Sequence, residues 1–354
     1  MRKLLFNLHL YTALIAGVFI LILGVTGSIM AFEPELDHLF NAKLFKVEPR
    51  GQLLPVAAVI EAVSKAMPKE RPFNIGIPGA PDLAYVVAIR PQGQVFVNGY
   101  TGEILGTRGG GRTFLGNVHQ FHLRLLWGKT GQTIVGIVGV VTVFLLISGI
   151  YLWWPLKRVA INTSASWRRI TFDLHNAVGI FSVVFLLLLS VTGVIIAYDD
   201  TIFSWLYKVT NTAPLGRTAQ STPQPGARPI SLDQALEIAR ATIPGARPIS
   251  VVVPAGAKAS ISIPMRFPED LTPGGRSWVV LDQFSGKVLL MQSSRTAPGV
   301  TRMIIANRAI HTGDIFGIPS KLLASICSSI VILQAITGVY MWWKRPRSKQ
   351  PPSP

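Results

Sequence analysis

Acidic residues and cysteine are both scarce in this chain of 354 residues. It has 17 Asp and Glu residues against 34 Lys and Arg residues, and charged residues make up only 14% of its composition. So little charge excludes a soluble globular protein, and the 49% hydrophobic content with a mean hydropathy of +0.42 indicates a membrane protein. The single cysteine, Cys327, excludes a disulfide bond within the chain.

Several cofactor-binding and nucleic-acid-binding motifs are also missing. The sequence has no C-x-x-C-H haem attachment motif and no G-x-G-x-x-G after a strand, which excludes covalent c-type haem attachment and gives no sign of a dinucleotide or flavin site. No nucleic-acid motif accompanies the net charge of +17, so we expect no nucleic-acid partner. Any electrons that this chain handles must come from an external donor.

Four apolar runs are long enough to cross a bilayer as helices, which takes about 20 residues each. They are Leu10–Phe32, Thr133–Trp154, Val178–Tyr198 and Leu322–Trp343. The first run lacks a small-x-small cleavage site, so we expect an uncleaved anchor rather than a signal peptide.

Basic residues cluster in the short segments beside these spans. These segments contain one acid, Asp173, and ten cations: Arg2, Lys3, Lys157, Arg158, Arg168, Arg169, Lys344, Arg345, Arg347 and Lys349. The positive-inside rule therefore predicts that both termini are cytoplasmic and that the two long segments, 33–132 and 199–321, are exported.

The sequence contains two gapless internal repeats. The segment starting at Leu8 aligns with that at Leu174 at an offset of 166, and the segment starting at His122 aligns with that at His311 at an offset of 189. The chain is thus a unit of span, exported domain and span written twice in one orientation, and such parallel repeats pack around an axis along the membrane normal.

Each exported segment has the pattern of one amphipathic helix followed by alternating strands. The helices are predicted at Leu54–Met67 and Ile230–Ile243, the second with Ser231 as its N-cap, and "YTGEI" and "FSGKV" are predicted hairpin turns. The linkers are "GTRGGGR" and Ala213–Pro229. The fold class predicted is an α-helical membrane protein with four transmembrane helices as two parallel repeats and two small α+β exported domains.

The predicted boundaries divide the chain into eight parts. They are transmembrane helix 1 (1–32), exported domain 1 with its connector (33–121), a histidine-bearing segment with transmembrane helix 2 (122–154), a cytoplasmic basic loop (155–171), transmembrane helix 3 (172–198), exported domain 2 (199–310), a histidine-bearing segment with transmembrane helix 4 (311–343) and a cytoplasmic tail (344–354).

Four of the six histidines form two repeat-related pairs. His9 aligns with His175 at the cytoplasmic edge of the spans, and His122 aligns with His311 on the exported side. Retained interfacial polar residues would explain any one of them, but two imidazoles presented by two helices at one depth are what a bis-histidine b-type haem requires. Zinc fits less well, because a tetrahedral site needs further ligands and only the exported pair has a candidate, His119.

The motifs around these histidines resemble a known family. The "LH" openings before spans one and three, "HTGDIFG" before span four, the "WWPLKR" and "WWKRP" exits and the "YTGEI" turn resemble the PepSY-associated transmembrane helix family. Within it, the size and the two repeats resemble FoxB-type siderophore-iron reductases of the bacterial inner membrane. Like exported domains in that family, the two here would be PepSY-like and periplasmic.

This resemblance implies a cofactor and a reaction. It implies two haem b groups, one between His9 and His175 and one between His122 and His311, with His119 as an alternative ligand one helical turn from His122. The implied activity passes electrons across the membrane to a ferric siderophore in the periplasm, which releases Fe(II) for iron uptake. The donor would be a quinol in the lipid bilayer or a cytosolic reductant.

Further candidates lie around the exported ends of the spans. Arg124 and Arg308 flank the exported histidines and are candidate partners for haem propionates. A set of acidic residues with one histidine could receive a cationic ferric complex, although a solvated helix exit explains it as well; it consists of Glu33, Glu35, Asp37, His38, Asp199 and Asp200.

Two other functions compete with the reductase. A transporter of siderophore or iron would need ionisable residues at mid-depth in the spans, and the predicted spans carry only Gln, Ser, Thr and Cys as polar side chains there. A membrane scaffold or sensor that uses the exported domains without a cofactor would leave the histidine pairs unexplained.

Overall fold

The computed structural model of the chain describes residues 1–345 except 92, 110–112, 158, 214, 215, 217, 224 and 225. The basic residues Arg158, Arg347 and Lys349 and most of the predicted tail therefore lie outside the described residues. The chain divides into two units. The membrane unit comprises Met1–Glu33, Phe114–Phe203 and Asn307–Pro354, and the sheet unit comprises Pro34–Thr113 and Ser204–Ala306.

Eleven helices and nine strands occur in the described part of the chain. The helices are α1 (Arg2–Met30), α2 (Glu33–Phe40), α3 (Ala42–Phe45), α4 (Val56–Ala66), α5 (Phe114–Arg124), α6 (Gly128–Trp153), α7 (Trp167–Ala197), α8 (Asp199–Val209), α9 (Leu232–Thr242), α10 (Gly299–Thr312) and α11 (Ile318–Trp343). The strands are β1 (Arg71–Gly76), β2 (Tyr85–Arg90), β3 (Gly93–Val97), β4 (Ile104–Gly109), β5 (Arg247–Pro248), β6 (Ser250–Val252), β7 (Ser260–Arg266), β8 (Ser277–Asp282) and β9 (Val288–Gln292).

The four predicted spans are confirmed as the helices α1, α6, α7 and α11, each long and apolar enough to cross a membrane. All four begin earlier than the apolar runs, and the extension is longest in α1, which starts at Arg2, and in α7, which starts at Trp167. The basic segments before the runs continue the same helices, because a helix needs only internal hydrogen bonds and tolerates polar residues at its ends. His9 and His175 therefore lie inside these helices rather than at their first turn.

The membrane unit is built on a closed ring of helix contacts. The helix α1 packs against α6 and α11, and α7 also packs against α6 and α11, so α1 and α7 occupy diagonal positions. Small residues allow the close approach of α1 and α11: a Cβ atom at Gly24 would lie 2.9 Å from the backbone oxygen of Ser328. In addition, Ser28 and Ser325 each donate a hydrogen bond to the other's backbone oxygen. Such small-residue contacts are typical of helix packing in membranes.

The sheet unit contains one antiparallel sheet to which both long segments between the spans contribute. The strand order is β4-β3-β2-β1-β6-β7-β8-β9, with β5 paired to β7. The two segments meet where Ile75 of β1 pairs with Val251 of β6. They were predicted as two domains, and the structure joins their sheets instead, because β1 and β6 would otherwise leave unpaired edges.

The predicted helices and hairpin turns of the sheet unit agree with the structure, whereas the two predicted linkers differ from it. Ser231 caps α9 in a full capping box with Gln234. The predicted linker "GTRGGGR" starts inside β4, because the backbone from Gly106 to Gly109 pairs with β3 whatever its side chains; its residues 110–112 lie outside the described part. In the other linker, Ser221 is buried and accepts a hydrogen bond from the Gln283 backbone N–H.

A carboxylate links the two segments across this unit. The helix α4 begins after Pro55, which supplies no side-chain cap. Asp233 of α9 accepts hydrogen bonds from the backbone N–H groups of Val56 (2.8 Å) and Ala57 (3.0 Å) instead. The carboxylate thus satisfies the free donors of a neighbouring helix at its positive end.

We predict that Asp233→Ala lowers the unfolding free energy of the sheet unit by about 1–2 kcal/mol, because the α4 donors lose their cap. Resistance to proteolysis across a urea gradient, measured on the detergent-purified full chain, gives the unfolding midpoint. The matched control is Glu237→Ala on the same helix, where an exposed carboxylate pairs only with the exposed Arg240 and the change should be near zero. Equal midpoints for both variants would contradict the capping role.

Candidate functional site: two facing histidine pairs

His9 and His175 lie on the diagonal helices α1 and α7 and line the same cavity in the membrane unit. The cavity has a volume of about 1380 Å³ and is walled by all four long helices, mainly with apolar side chains. This exceeds the roughly 300–1,000 Å³ of an ordinary small-molecule site. The structure therefore brings this predicted pair to one space large enough for a large, flat ligand.

His122 and His311 lie on the shorter helices α5 and α10, which precede the spans α6 and α11. Their ring centroids are 6.2 Å apart, and the ring planes are inclined by 45°. Two imidazoles on opposite sides of one metal ion, each with a metal–nitrogen bond of about 2 Å, place their centroids roughly 6 Å apart. The two rings thus lie at the separation that one intervening metal ion requires.

Each of the four rings is held at Nδ1 by a hydroxyl group on another helix. The distance is 2.8 Å from His9 to Ser148, 2.8 Å from His175 to Thr337, 3.0 Å from His122 to Thr26 and 3.1 Å from His311 to Thr192. In the internal repeats, Ser148 aligns with Thr337 and Thr26 aligns with Thr192. The same contact therefore occurs in both halves of the chain.

The hydrogen-bond network assigns the proton on these rings. Each hydroxyl donates its own hydrogen to a backbone oxygen one turn earlier in its helix, as Thr26 does to Ile22 (2.6 Å) and Thr337 does to Leu333 (2.7 Å). Ser148 and Thr192 do the same. The hydroxyl oxygen must then accept from an Nδ1–H, which leaves the Nε2 lone pair open for a metal ion.

A glycine follows each of these hydroxyl residues and lies against the Cε1 edge of the same ring. A Cβ atom would lie 3.6 Å from His9 at Gly149, 3.7 Å from His175 at Gly338, 3.1 Å from His122 at Gly27 and 2.9 Å from His311 at Gly193. We call each Ser/Thr–Gly dipeptide a hydroxyl–glycine pair. The hydroxyl fixes the ring by its Nδ1, and the glycine leaves space for the ring edge.

The surroundings of His122 and His311 favour the neutral form of both rings. Burial, with a smaller contribution from the nearby His311, lowers the pKa of His122 to about 3. Burial also lowers the pKa of His311, and the charge of Arg308 adds to that effect. Neutral imidazole is the form that binds metal ions.

These features fit an axially ligated porphyrin better than a metal site made by protein alone. Among the described residues, no group of three or more His, Cys, Asp or Glu side chains is placed to hold a metal ion. A bis-histidine haem needs only two protein ligands, because the porphyrin supplies the other four. The residues that fit as ligands are His9 with His175 and His122 with His311.

His119 has a different partner from His122. Its Nδ1 lies 2.7 Å from a carboxylate oxygen of Glu33, just beyond the end of α1. It therefore pairs with an acid rather than with a hydroxyl–glycine pair, which favours His122 as the ligand. Arg124 and Arg308, the candidate propionate partners, are both exposed, and Arg308 is close enough to influence His311 electrostatically.

The acidic set is divided between the two units. Glu33, Asp199 and Asp200 belong to the membrane unit, whereas Glu35, Asp37 and His38 belong to the sheet unit. Asp37 is engaged by the guanidinium of Arg108 at 2.9 and 3.0 Å, and the His38 ring lies on Phe45 with centroids 4.1 Å apart. Asp199 accepts a hydrogen bond from the backbone of Asp200. The role of this set in receiving substrate stays a prediction.

The sequence analysis did not assign the hydroxyl residues that hold the rings. Their signal was available, because Thr26 and Thr192 align in one repeat and Ser148 and Thr337 in the other, each before an aligned glycine. Gln334 was also missed as a partner: its side-chain amide donates to the backbone oxygen of His175 at 3.1 Å. Serine, threonine and glycine are common in membrane helices, so only the structure identifies these as ring contacts.

The fold and the site together define a multi-pass α-helical membrane protein with a separate small α+β unit. The family model of the PepSY-associated TM region matches residues 6–345. The chain belongs to this family, as its motifs predicted. No curated protein matches the sequence significantly.

We predict that Gly193→Ala abolishes one of two haem-binding events when haem is titrated into the purified protein. The new Cβ would lie 2.9 Å from Cε1 of His311, and the ring cannot yield without losing its bonds to Thr192 and Leu189. Gly17→Ala is the control, since no atom lies within 4 Å of its Cβ position and Gly17 is on the same cavity as His9 but about two turns further along α1. Two binding events in Gly193→Ala would show that the His311 position is unimportant for haem.

Proposed function

We propose that this protein is a di-haem b electron-transfer protein that reduces ferric siderophore in the periplasm and releases Fe(II) for iron uptake. The observation that supports it most directly is the set of four histidines in two repeat-related pairs, each held through Nδ1 with Nε2 open. With both axial positions taken by protein, such a site favours electron transfer over oxygen binding. The protein is then an oxidoreductase.

The chain's own residues orient the ligands and exclude water. His9 and His175 would hold one haem in the apolar cavity, and His122 and His311 would hold the second. The hydroxyl–glycine pairs keep each ring in one tautomer and orientation, which limits the structural change between oxidation states. When bound, the haems supply one-electron carriers at two depths in the bilayer.

The direction of transfer follows from the proposed topology. By the positive-inside rule, the basic residues at the ends of α1, α6, α7 and α11 favour a cytoplasmic position for both termini and for the ends of α1 and α7 that carry His9 and His175, in a bacterial inner membrane. The exported pair and the sheet unit then face the periplasm, where the ferric siderophore accepts the electron. One electron reduces one Fe(III) to Fe(II), so a quinol that releases two electrons and two protons serves two ferric complexes; a cytosolic reductant is the other donor.

We predict that the purified protein is red and contains about two low-spin b-type haems per chain in a dithionite-reduced minus oxidised spectrum. His9→Ala, His175→Ala, His122→Ala and His311→Ala should each lose one haem and retain the other, which also shows that the variant is folded. His38→Ala, in the sheet unit, is the matched control and should retain both. His119→Ala should also retain both, because His119 pairs with Glu33. A colourless protein, or full haem content in all four pair variants, would refute the assignment.

We further predict that the protein in proteoliposomes reduces a ferric hydroxamate siderophore outside the vesicle when a reductant acts inside. A ferrous-specific chelator reports Fe(II) outside, and the orientation of the protein is selected with an external protease. His9→Ala and His122→Ala should both abolish the rate, because each interrupts the electron path at a different depth, whereas Glu237→Ala, at an exposed position of α9, should not. If the haems are reduced normally but the ferric siderophore is not, the protein is still an electron carrier, and the siderophore is excluded as its acceptor.

A further inference from the structure

Several cations line the cavity that contains His9 and His175. They are Arg2, Lys3, Arg168, Arg169 and Arg345. All lie toward the ends where α1 and α7 begin and α11 ends, so one end of an otherwise apolar cavity is basic. Ligation of iron by the histidines does not explain why cations line this end of the cavity.

Two repeat-related pairs of cations line this end, Lys3 with Arg169 and Arg2 with Arg168, and the second pair stands out by its position relative to the histidines. The offset of 166 that converts His9 into His175 also converts Arg2 into Arg168, and each arginine precedes its histidine by seven residues. Seven residues are nearly two helical turns, so each arginine is on the histidine-bearing face of its helix and roughly 10 Å along the axis from it. The cavity is thus flanked by two His–Arg faces from diagonal helices.

Two of the other cations in the cavity, Arg169 and Arg345, have described partners that reduce their availability. Arg169 forms an ion pair with the buried Asp173 at 3.0 Å, and Arg345 stacks on Phe6. Arg2 donates one hydrogen bond to the backbone oxygen of Leu152 at 3.1 Å, which anchors it and leaves its other N–H donors. In the described part of the chain, neither Arg2 nor Arg168 has an acidic side chain within ion-pair distance.

We propose that Arg2 and Arg168 bind the two propionates of the haem that His9 and His175 ligate. This inference rests on the proposed function and adds the orientation of the cofactor. A haem carries two carboxylates on one edge, and arginine binds a carboxylate through two parallel hydrogen bonds. Two equivalent arginines beside two equivalent ligands match that pair of carboxylates.

The orientation has a consequence for the rest of the cavity. With its propionate edge at Arg2 and Arg168, the porphyrin would extend its apolar edge past the histidines into the part of the cavity lined by Leu14 and Ile180, each about 7 Å along the helix axis from its histidine. The charged groups stay at the basic end, and the apolar part of the ring occupies the apolar end. The apolar edge then points toward the exported histidine pair, the direction in which electrons must leave.

The test compares haem b with its dimethyl ester, in which both propionates are uncharged. In a His122→Ala background, where only the cavity site binds, the protein should bind haem b more tightly than the ester by roughly 10-fold to 100-fold for each propionate. Arg2→Gln and Arg168→Gln should each remove about half of that discrimination on a logarithmic scale, and the double variant should bind both compounds alike. Arg2→Lys and Arg168→Lys should restore part of it, since the charge remains but the paired donors do not.

Lys3→Gln is the matched control, because it removes one charge from the same end of the cavity at a position rotated away from the His9 face. It should retain the wild-type discrimination. If the His122→Ala variant does not fold, a redox titration of the two-haem protein replaces the binding assay. In the Arg2→Gln/Arg168→Gln double variant the midpoint potential of one haem only should be lower, because the loss of positive charge favours the ferric form.

Three outcomes would overturn the proposal. If the protein with Arg2 and Arg168 intact binds haem b and its dimethyl ester equally tightly, the propionates are not recognised. An effect of Lys3→Gln as large as that of either arginine would show only a general charge effect. A protein that binds no haem in any form would remove this proposal together with the proposed function, whereas the first two outcomes leave that function intact.

Discussion

The hydrogen bond from each imidazole Nδ1–H to a hydroxyl on a neighbouring helix is the interaction on which the site depends. Each hydroxyl is already committed as a donor within its own helix, so it accepts from the ring and fixes the tautomer. In a membrane interior an unpaired polar group is costly, and this arrangement satisfies both the hydroxyl and one side of the imidazole. It leaves one lone pair per ring unpaired. A metal ion would bind at that lone pair. The packing of the four spans therefore also determines the chemistry of the site, because it positions the hydroxyl groups that orient the rings.

The hydroxyl–glycine pairs also connect the two ends of the membrane unit. The helix α1 carries His9 near its start and holds His122 near its end through Thr26 and Gly27, and α7 does the same with its own residues. The spacing from histidine to threonine is seventeen residues in each helix, or about 25 Å along the axis. Two helices of equal geometry therefore set the separation of the two histidine pairs across the bilayer. A shift of α1 or α7 along its axis would disturb both pairs at once.

The parts of this structure that sequence reasoning recovered are those with local or periodic signals. Four apolar runs predicted the spans, the Ser231 cap and the hairpin turns follow short-range rules, and the repeat identified the histidine pairs. The joined sheet could not be predicted, because pairing of Ile75 with Val251 depends on two edge strands more than 170 residues apart in the chain. The ring contacts of Ser148 and Thr337 could not be predicted either. The sequence of an apolar helix does not distinguish a hydroxyl that bonds only its own backbone from one that also accepts a hydrogen bond from an imidazole.

The two ends of the membrane unit differ in how well they keep the repeat. Where α1 and α7 begin, Arg2 and Arg168 are equivalent and flank equivalent histidines. At the other end the equivalent positions diverge: His119 corresponds to Arg308, and Glu33 corresponds to Asp199. The first half forms a histidine–carboxylate pair there, while the second half places a permanent charge near His311. A symmetric end needs to recognise only a cofactor with two like carboxylates. An end with one titratable pair and one fixed charge is suited to an acceptor that is itself asymmetric, and the divergence lies on the side where such an acceptor would bind.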